Sequence, residues 1–160
     1  MPGVATITAL EGKPSREDDA AVPPGYVLDD QIGFLMRRAH QRHIAIFQRI
    51  MGESGLTPTQ FAAMSKLADG EEISQNQLGR LTAMDPATIK GVIARLFERG
   101  LVERLPDPGD ERRVLIRLSA EGRAAMPGLL AKAREVTTAT LQPLTADEAR
   151  RLASLLARVA

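Results

Sequence analysis

The stretch LPDPGDERRVLIRLS, residues 105–119, decides how the chain around it is read. Leu105 closes one apolar-rich run, and Val114 to Leu118 form another. Leu101, Glu103 and Leu105 alternate with Val102 and Arg104; Val114, Ile116 and Leu118 alternate with Leu115 and Arg117. Period-2 patterning on both sides of a centre rich in Pro, Gly and Asp predicts a β-hairpin, two strands joined by a long turn over Pro106–Arg113.

Outward from the hairpin the punctuation is helical. Asp29 and Asp30 open an amphipathic run to about Met51, closed by Gly52 and Gly55. Thr57-Pro58-Thr59-Gln60 is a capping box with proline at the first helical position, and its helix stops before Gly70. Ser74-Gln75-Asn76-Gln77 reads as a second capping box, for a short helix to about Leu81. Asp85-Pro86 starts a helix that ends at Gly100. Ser119 caps a helix toward Leu141, with a kink expected at Pro127-Gly128. Thr145-Ala146-Asp147-Glu148 is a third box, opening the last helix. The expected fold is mainly α with a small β-hairpin.

The 160 residues suffice for one domain with an added interaction element. Hydrophobic residues make up 44% and aromatics only 3%, so the core must be aliphatic. The net charge of +1 leaves any electrostatic argument to the placement of charges. The absence of cysteine excludes disulfides, thiolate metal sites and thiol sensing, and fits a cytoplasmic protein. No segment approaches the roughly 18 apolar residues of a membrane span, and residues 1–25 show neither a signal-peptide pattern nor any period. They read as a flexible arm.

Residues 74–99 form a helix-turn-helix pattern, with Thr82, Ala83 and Met84 in the turn. On the second helix Ile89, Val92, Ile93, Leu96 and Phe97 share an apolar face. The opposite face, Thr88, Lys90, Gly91, Ala94 and Arg95, is small, polar and basic, as close approach to base edges and phosphates requires. The helix N-terminus adds N–H groups for a phosphate. A helix-turn-helix followed directly by a charged hairpin is a winged helix. Arg112 and Arg113 at its tip could enter a minor groove, with Asp107 and Asp110 as turn formers that hold an arginine.

Residues 85–119, DPATIKGVIARLFERGLVERLPDPGDERRVLIRLS, resemble the recognition helix and wing of the MarR family of bacterial transcriptional regulators. The family's wing motif Asp-Pro-x-Asp-x-Arg is matched by Asp107, Pro108, Asp110 and Arg112. Its Gly-Leu-Val-x-Arg entry is matched by Gly100, Leu101, Val102 and Arg104. The resemblance covers about residues 28–158. It implies a homodimer on a pseudo-palindromic operator, with a first helix (26–56) and C-terminal helices (119–160) for dimerisation and a DNA-binding lobe at 57–118. By the same resemblance Thr88, Lys90 and Gly91 would face bases, Arg95 would hold the backbone, and Arg112 would enter the minor groove. Gly91 stands where many members carry a basic residue, with Lys90 beside it. The apolar face of Leu152, Leu155, Leu156 and Val159 fits a dimer.

On the first helix Ile32, Leu35, Met36, Ala39, Ile46, Phe47 and Ile50 share one face, with His43 in its middle and His40 at its edge. Arg38, Arg42 and Arg49 form a basic stripe. His40, His43, Arg38 and Arg42 are candidate ligand-binding residues, since imidazole and guanidinium suit a buried anion. A core or interface histidine is the plainer reading of His43. The series Tyr26, Asp30-Gln31-Ile32-Gly33, Arg37-Arg38-Ala39, Gln41-Arg42-His43 and Phe47 resembles a subgroup that controls aromatic-acid breakdown. It implies an aromatic or heteroaromatic carboxylate, or its coenzyme A thioester, as inducer of a repressor. No cofactor and no metal is implied. Without a Ser-His-Asp set, a phosphate loop or a metal cluster, an enzyme is not expected. A winged-helix module for protein–protein contacts is the alternative.

Overall fold

The computed structural model describes residues 25–70 and 72–160. The expected flexible arm lies, apart from Gly25, outside the described residues. Helix α1 (Ile32–Met51) is followed by α2 (Pro58–Leu67), a two-residue strand β1 (Ile73–Ser74), α3 (Gln75–Leu81) and α4 (Pro86–Glu98). Then come β2 (Val102–Asp107), β3 (Asp110–Leu118), α5 (Ala120–Leu141) and α6 (Ala146–Val159).

Local chemistry sets most of these boundaries. Thr57 with Gln60, and Thr145 with Glu148, complete both halves of a capping box. Ser74 supplies only one half, accepting from the Gln77 N–H, so the expected second box is a simple cap. Asp29 and Asp30 sit in a separate 3-10 turn, Leu28–Asp30; extended Gln31 interrupts the chain there and α1 begins at Ile32. Proline at 127 does not break α5, which is continuous over 22 residues. The left-handed Gly100 (φ 69°) ends α4 with paired bonds, its own N–H to the Phe97 carbonyl and that of Leu101 to Leu96. The same arrangement closes α3, but with Ala83 at φ 52° in place of glycine.

The hairpin differs from expectation at its tip. The strands run out to Asp107 and Asp110, so the turn is two residues, Pro108-Gly109, rather than the whole of Pro106–Arg113. Strand β1 adds a third member that the sequence pattern did not reveal. The antiparallel order is β1-β3-β2, with Ile73 opposite Ile116.

The core is aliphatic, with Phe47 its one fully buried aromatic ring. Ile73, Leu78, Ile89, Ile93, Leu96 and Leu118 are essentially inaccessible and join the helix-turn-helix to the sheet. Phe97, expected among them, is instead 47% exposed, because the last turn of α4 carries it past the core. The apolar face of α1 is buried only toward its C-terminal end, at Phe47 and Met51. Ile32, Leu35 and Met36 are exposed, as are Leu152, Leu155, Leu156 and Val159 of α6. Together these two surfaces line a groove of about 600 Å³.

One contact fixes how α5 leaves the sheet. A Cβ at Gly122 would collide with the Leu101 carbonyl oxygen. Gly122→Ala is therefore expected to destabilise the fold by about 1–3 kcal/mol, whereas Ala83→Gly, relieving a left-handed alanine, should be neutral or stabilising by up to about 1 kcal/mol. Chemical denaturation of both variants checks this pair; a neutral Gly122→Ala would contradict the packing described.

Candidate nucleic-acid interface

Helix α4 is held against α3 by a tight approach. A Cβ at Gly79 would lie 3.2 Å from both the Ile89 side chain and the Met84 carbonyl oxygen. With Ile89, Val92, Ile93 and Leu96 buried beneath, α4 exposes Thr88, Lys90, Gly91 and Arg95, while Ala94 is half-buried. Among the described residues neither Lys90 nor Arg95 has an ion-pair partner within 4.0 Å.

The start of α4 is occupied by its own cap. Asp85 Oδ1 accepts from the N–H groups of Ala87 (3.0 Å) and Thr88 (2.9 Å), and Oδ2 accepts from the Thr88 hydroxyl (2.5 Å). Pro86 has no N–H, and that of Ile89 bonds the Asp85 carbonyl. The first turn thus has no free donor, which corrects the expectation of a phosphate site there. What the outer face of α4 offers a partner is therefore side chains. The bond from the Thr88 hydroxyl, and next that from its N–H, hold the Asp85 carboxyl below the usual carboxylate range.

The wing tip is ordered by its acids. Asp107 Oδ1 accepts from the Gly109 N–H at 2.8 Å, and its other oxygen lies 3.7 Å from Arg113 Nε. Asp110 Oδ1 accepts from the Arg112 N–H at 3.0 Å. Arg113 is thereby tethered, while the exposed Arg112 has no ion-pair partner among the described residues. Strand rise is about 3.3 Å per residue and the minor groove about 7.5 Å deep, so only residues within about two of the strand ends, Asp107 and Asp110, can enter it. Arg112 meets that limit.

Two features were missed from sequence. Arg117 bridges Glu103 on β2 (3.0 Å) and Glu72 before β1 (3.2 Å), fixing the root of the wing. The bond that Arg117 donates to Glu103, foremost, raises its pKa above the ordinary guanidinium value. The second is the Arg104 guanidinium, 4.7 Å from the centroid of the Phe97 ring. Opposite charges at 103 and 117 were a signal, but only the strand register places them face to face.

The candidate ligand residues on α1 have these surroundings. Arg42 donates to the carbonyls of Thr140 (2.6 Å) and Ala139 (3.1 Å), near the C-terminal end of α5. His43 Nδ1 lies 3.0 Å from the Thr140 hydroxyl. Arg38 pairs with Asp29, and His40 is exposed. Two adjoining grooves lie along α5. One of about 550 Å³ is lined by Ile50, Arg134, Glu135, Thr138, Ala139 and Gln142. The other, about 440 Å³, is lined by Phe61, Ser65 and α5 residues including Arg134. The Ser65 hydroxyl is buried and, among the described residues, has no hydrogen-bond partner.

A helix-turn-helix with an exposed basic face, beside a rigid hairpin with an arginine at its tip, defines a winged-helix DNA-binding protein. Residues 56–114 match the model of the MarR family. The chain is 40% identical over 123 residues to the HTH-type transcriptional repressor NicR of Pseudomonas putida, covering 77% of this chain and 78% of that protein. A crystal structure of a probable transcriptional regulator from Pseudomonas aeruginosa is 54% identical, with a TM-score of 0.80 over 84% of this chain and 100% of that one. Bordetella bronchiseptica BpsR, whose DNA binding is regulated by 6-hydroxynicotinic acid, is 38% identical, with a TM-score of 0.80 over 84% of this chain and 96% of that one. The chain belongs to the MarR family and is a DNA-binding transcriptional regulator of that type.

The cap of α4 carries a pH dependence. Because folding lowers the Asp85 pKa, its contribution is complete above the ordinary carboxylate range and is lost as pH falls through the lowered value. The melting-temperature gap between wild type and Asp85→Ala should be widest near neutrality and shrink in acid. A gap independent of pH would contradict the charged cap.

Proposed function

We propose that the protein is a homodimeric repressor that leaves a pseudo-palindromic operator when it binds a small aromatic or heteroaromatic carboxylate. The observation that carries the DNA reading is the side-by-side presentation of the α4 outer face and a wing tip with an untethered Arg112. In this reading Thr88, Lys90 and Gly91 face bases, Arg95 holds the backbone, Arg112 enters the minor groove, and Asp107, Asp110 and Arg113 stiffen the wing. The Thr88 hydroxyl keeps its lone pairs for a base while it donates to Asp85.

The apolar surfaces of α1 and α6 are the dimer contact. They expose Ile32, Leu35, Met36, Leu152, Leu155, Leu156 and Val159, and a second copy related by a two-fold axis would cover both. The α1 segment and residues 119–160 then serve dimerisation, and residues 57–118 the DNA. Such a repressor works in the cytoplasm, where its operator is.

In this reading Arg134, which lines both α5 grooves, receives the inducer carboxylate. Grooves of this size take a single-ring acid, whereas a coenzyme A thioester would leave most of its bulk in solvent. BpsR, with 6-hydroxynicotinic acid as its regulator, supports a ring of that kind. His43, Arg42 and Thr140 join α1 to α5 beside the site, so a ligand that moves α5 acts through them. By linkage, an inducer that weakens DNA binding binds the DNA-bound protein more weakly.

Fluorescence anisotropy on operator DNA tests the reading. Arg112→Ala should weaken binding by about 1–3 kcal/mol and lower the salt slope by about one phosphate contact, and Lys90→Ala should change sequence preference as well as affinity. Unchanged affinity and slope for Arg112→Ala would remove the wing from the interface. For the ligand, Arg134→Ala should leave operator affinity intact while raising the concentration of 6-hydroxynicotinate or a related acid needed for release by at least about tenfold. Full inducer response in that variant would place the site elsewhere.

A further inference from the structure

We infer that Arg104 is a further DNA-binding residue, a phosphate contact that Phe97 holds ready between the recognition helix and the wing. The inference rests on the DNA-binding reading above. Phe97 stands exposed in the last turn of α4, and Arg104 lies on β2 two residues into the wing. The guanidinium sits 4.7 Å from the ring centroid, so the two residues fill the crook where helix and wing meet.

Three observations point to a phosphate. First, a phenylalanine at the end of an otherwise buried apolar row is 47% exposed, and the ring spends its face on an arginine rather than on the core. Second, among the described residues Arg104 has no carboxylate within ion-pair distance, although Arg113 and Arg117 in the same hairpin both do. Stacking leaves the guanidinium edge, with its N–H donors, open. Third, the geometry sets the depth. Arg104 is three residues back from Asp107, about 10 Å along the strand, beyond the roughly 7.5 Å depth of a minor groove. With the tip seated in that groove, Arg104 stops at its rim. The backbone strand that separates the groove read by α4 from the groove entered by the wing passes there. The ring limits the rotamers open to the arginine, so less freedom is lost on binding.

The test is anisotropy on a site recovered by selection from random DNA, and on a random duplex, at two salt concentrations. Arg104→Ala should bind both about fivefold more weakly at 0.15 M salt, with the salt slope reduced by about 0.9. Phe97→Leu should weaken binding less and keep the slope, since the charge remains, and the double variant should be no weaker than Arg104→Ala alone. Thermal melting accompanies each variant, and Arg104→Gln replaces Arg104→Ala if the latter unfolds. Wild-type affinity and slope in the Arg104 variant, with Lys90→Ala still impaired, would overturn the assignment while sparing the DNA-binding reading. A loss confined to the selected site would replace the phosphate with a base. No salt-dependent binding by the wild type to either duplex would sink both.

Discussion

The fold turns on the close approach of α5 to the root of the wing. Ser119 donates its hydroxyl proton to the Gly100 carbonyl at 2.6 Å and accepts from the Gly122 N–H at 2.9 Å, while its own N–H bonds the Leu101 carbonyl at 3.1 Å. Gly122 has no side chain to hold that carbonyl away. The end of the recognition helix, the first residue of the wing and the first turn of α5 are thus fastened within a few ångströms. Ser119 is buried, yet its hydroxyl and its N–H are both partnered, which makes the junction stiff rather than costly.

Under the proposed function, that junction is the route by which a ligand would be coupled to DNA. Helix α5 is rooted at the wing and, at its other end, held to α1 by Arg42 and His43. Arg99, at the end of α4, adds a second tie through the Ser54 and Gly55 carbonyls that follow α1. Recognition helix and wing are connected to α1 from both sides. A shift of α5 against α1 is therefore felt by both DNA-reading elements together, and in a dimer it alters the spacing between two such units.

Much of the fold was legible because its signals are local. Caps at Thr57, Ser74, Asp85, Ser119 and Thr145 act within three residues of themselves, so the sequence carried the helix starts directly. What escaped depends on distant partners. Strand β1 is two residues long and exists only because β3 lies beside it. An unbroken register from Asp107 and Asp110 would set Glu103 opposite Val114; the irregularity after Pro106 sets it opposite Arg117. The Phe97 stack depends on where the wing folds back. For the same reason the partners of Arg42 were not readable, since the α5 carbonyls that engage it lie nearly a hundred residues away. The wing acids were readable, since Asp-Pro-Gly-Asp specifies its own turn.

The most direct measurement is hydroxyl-radical footprinting of the full chain on a duplex recovered by affinity selection from random sequence. A dimer reading DNA with helix and wing should give two symmetric protected regions with centres about ten base pairs apart, each spanning a major groove and the adjoining minor groove. A single unsymmetrical patch, or protection of the major groove alone, would contradict a dimer that reads DNA with helix and wing together.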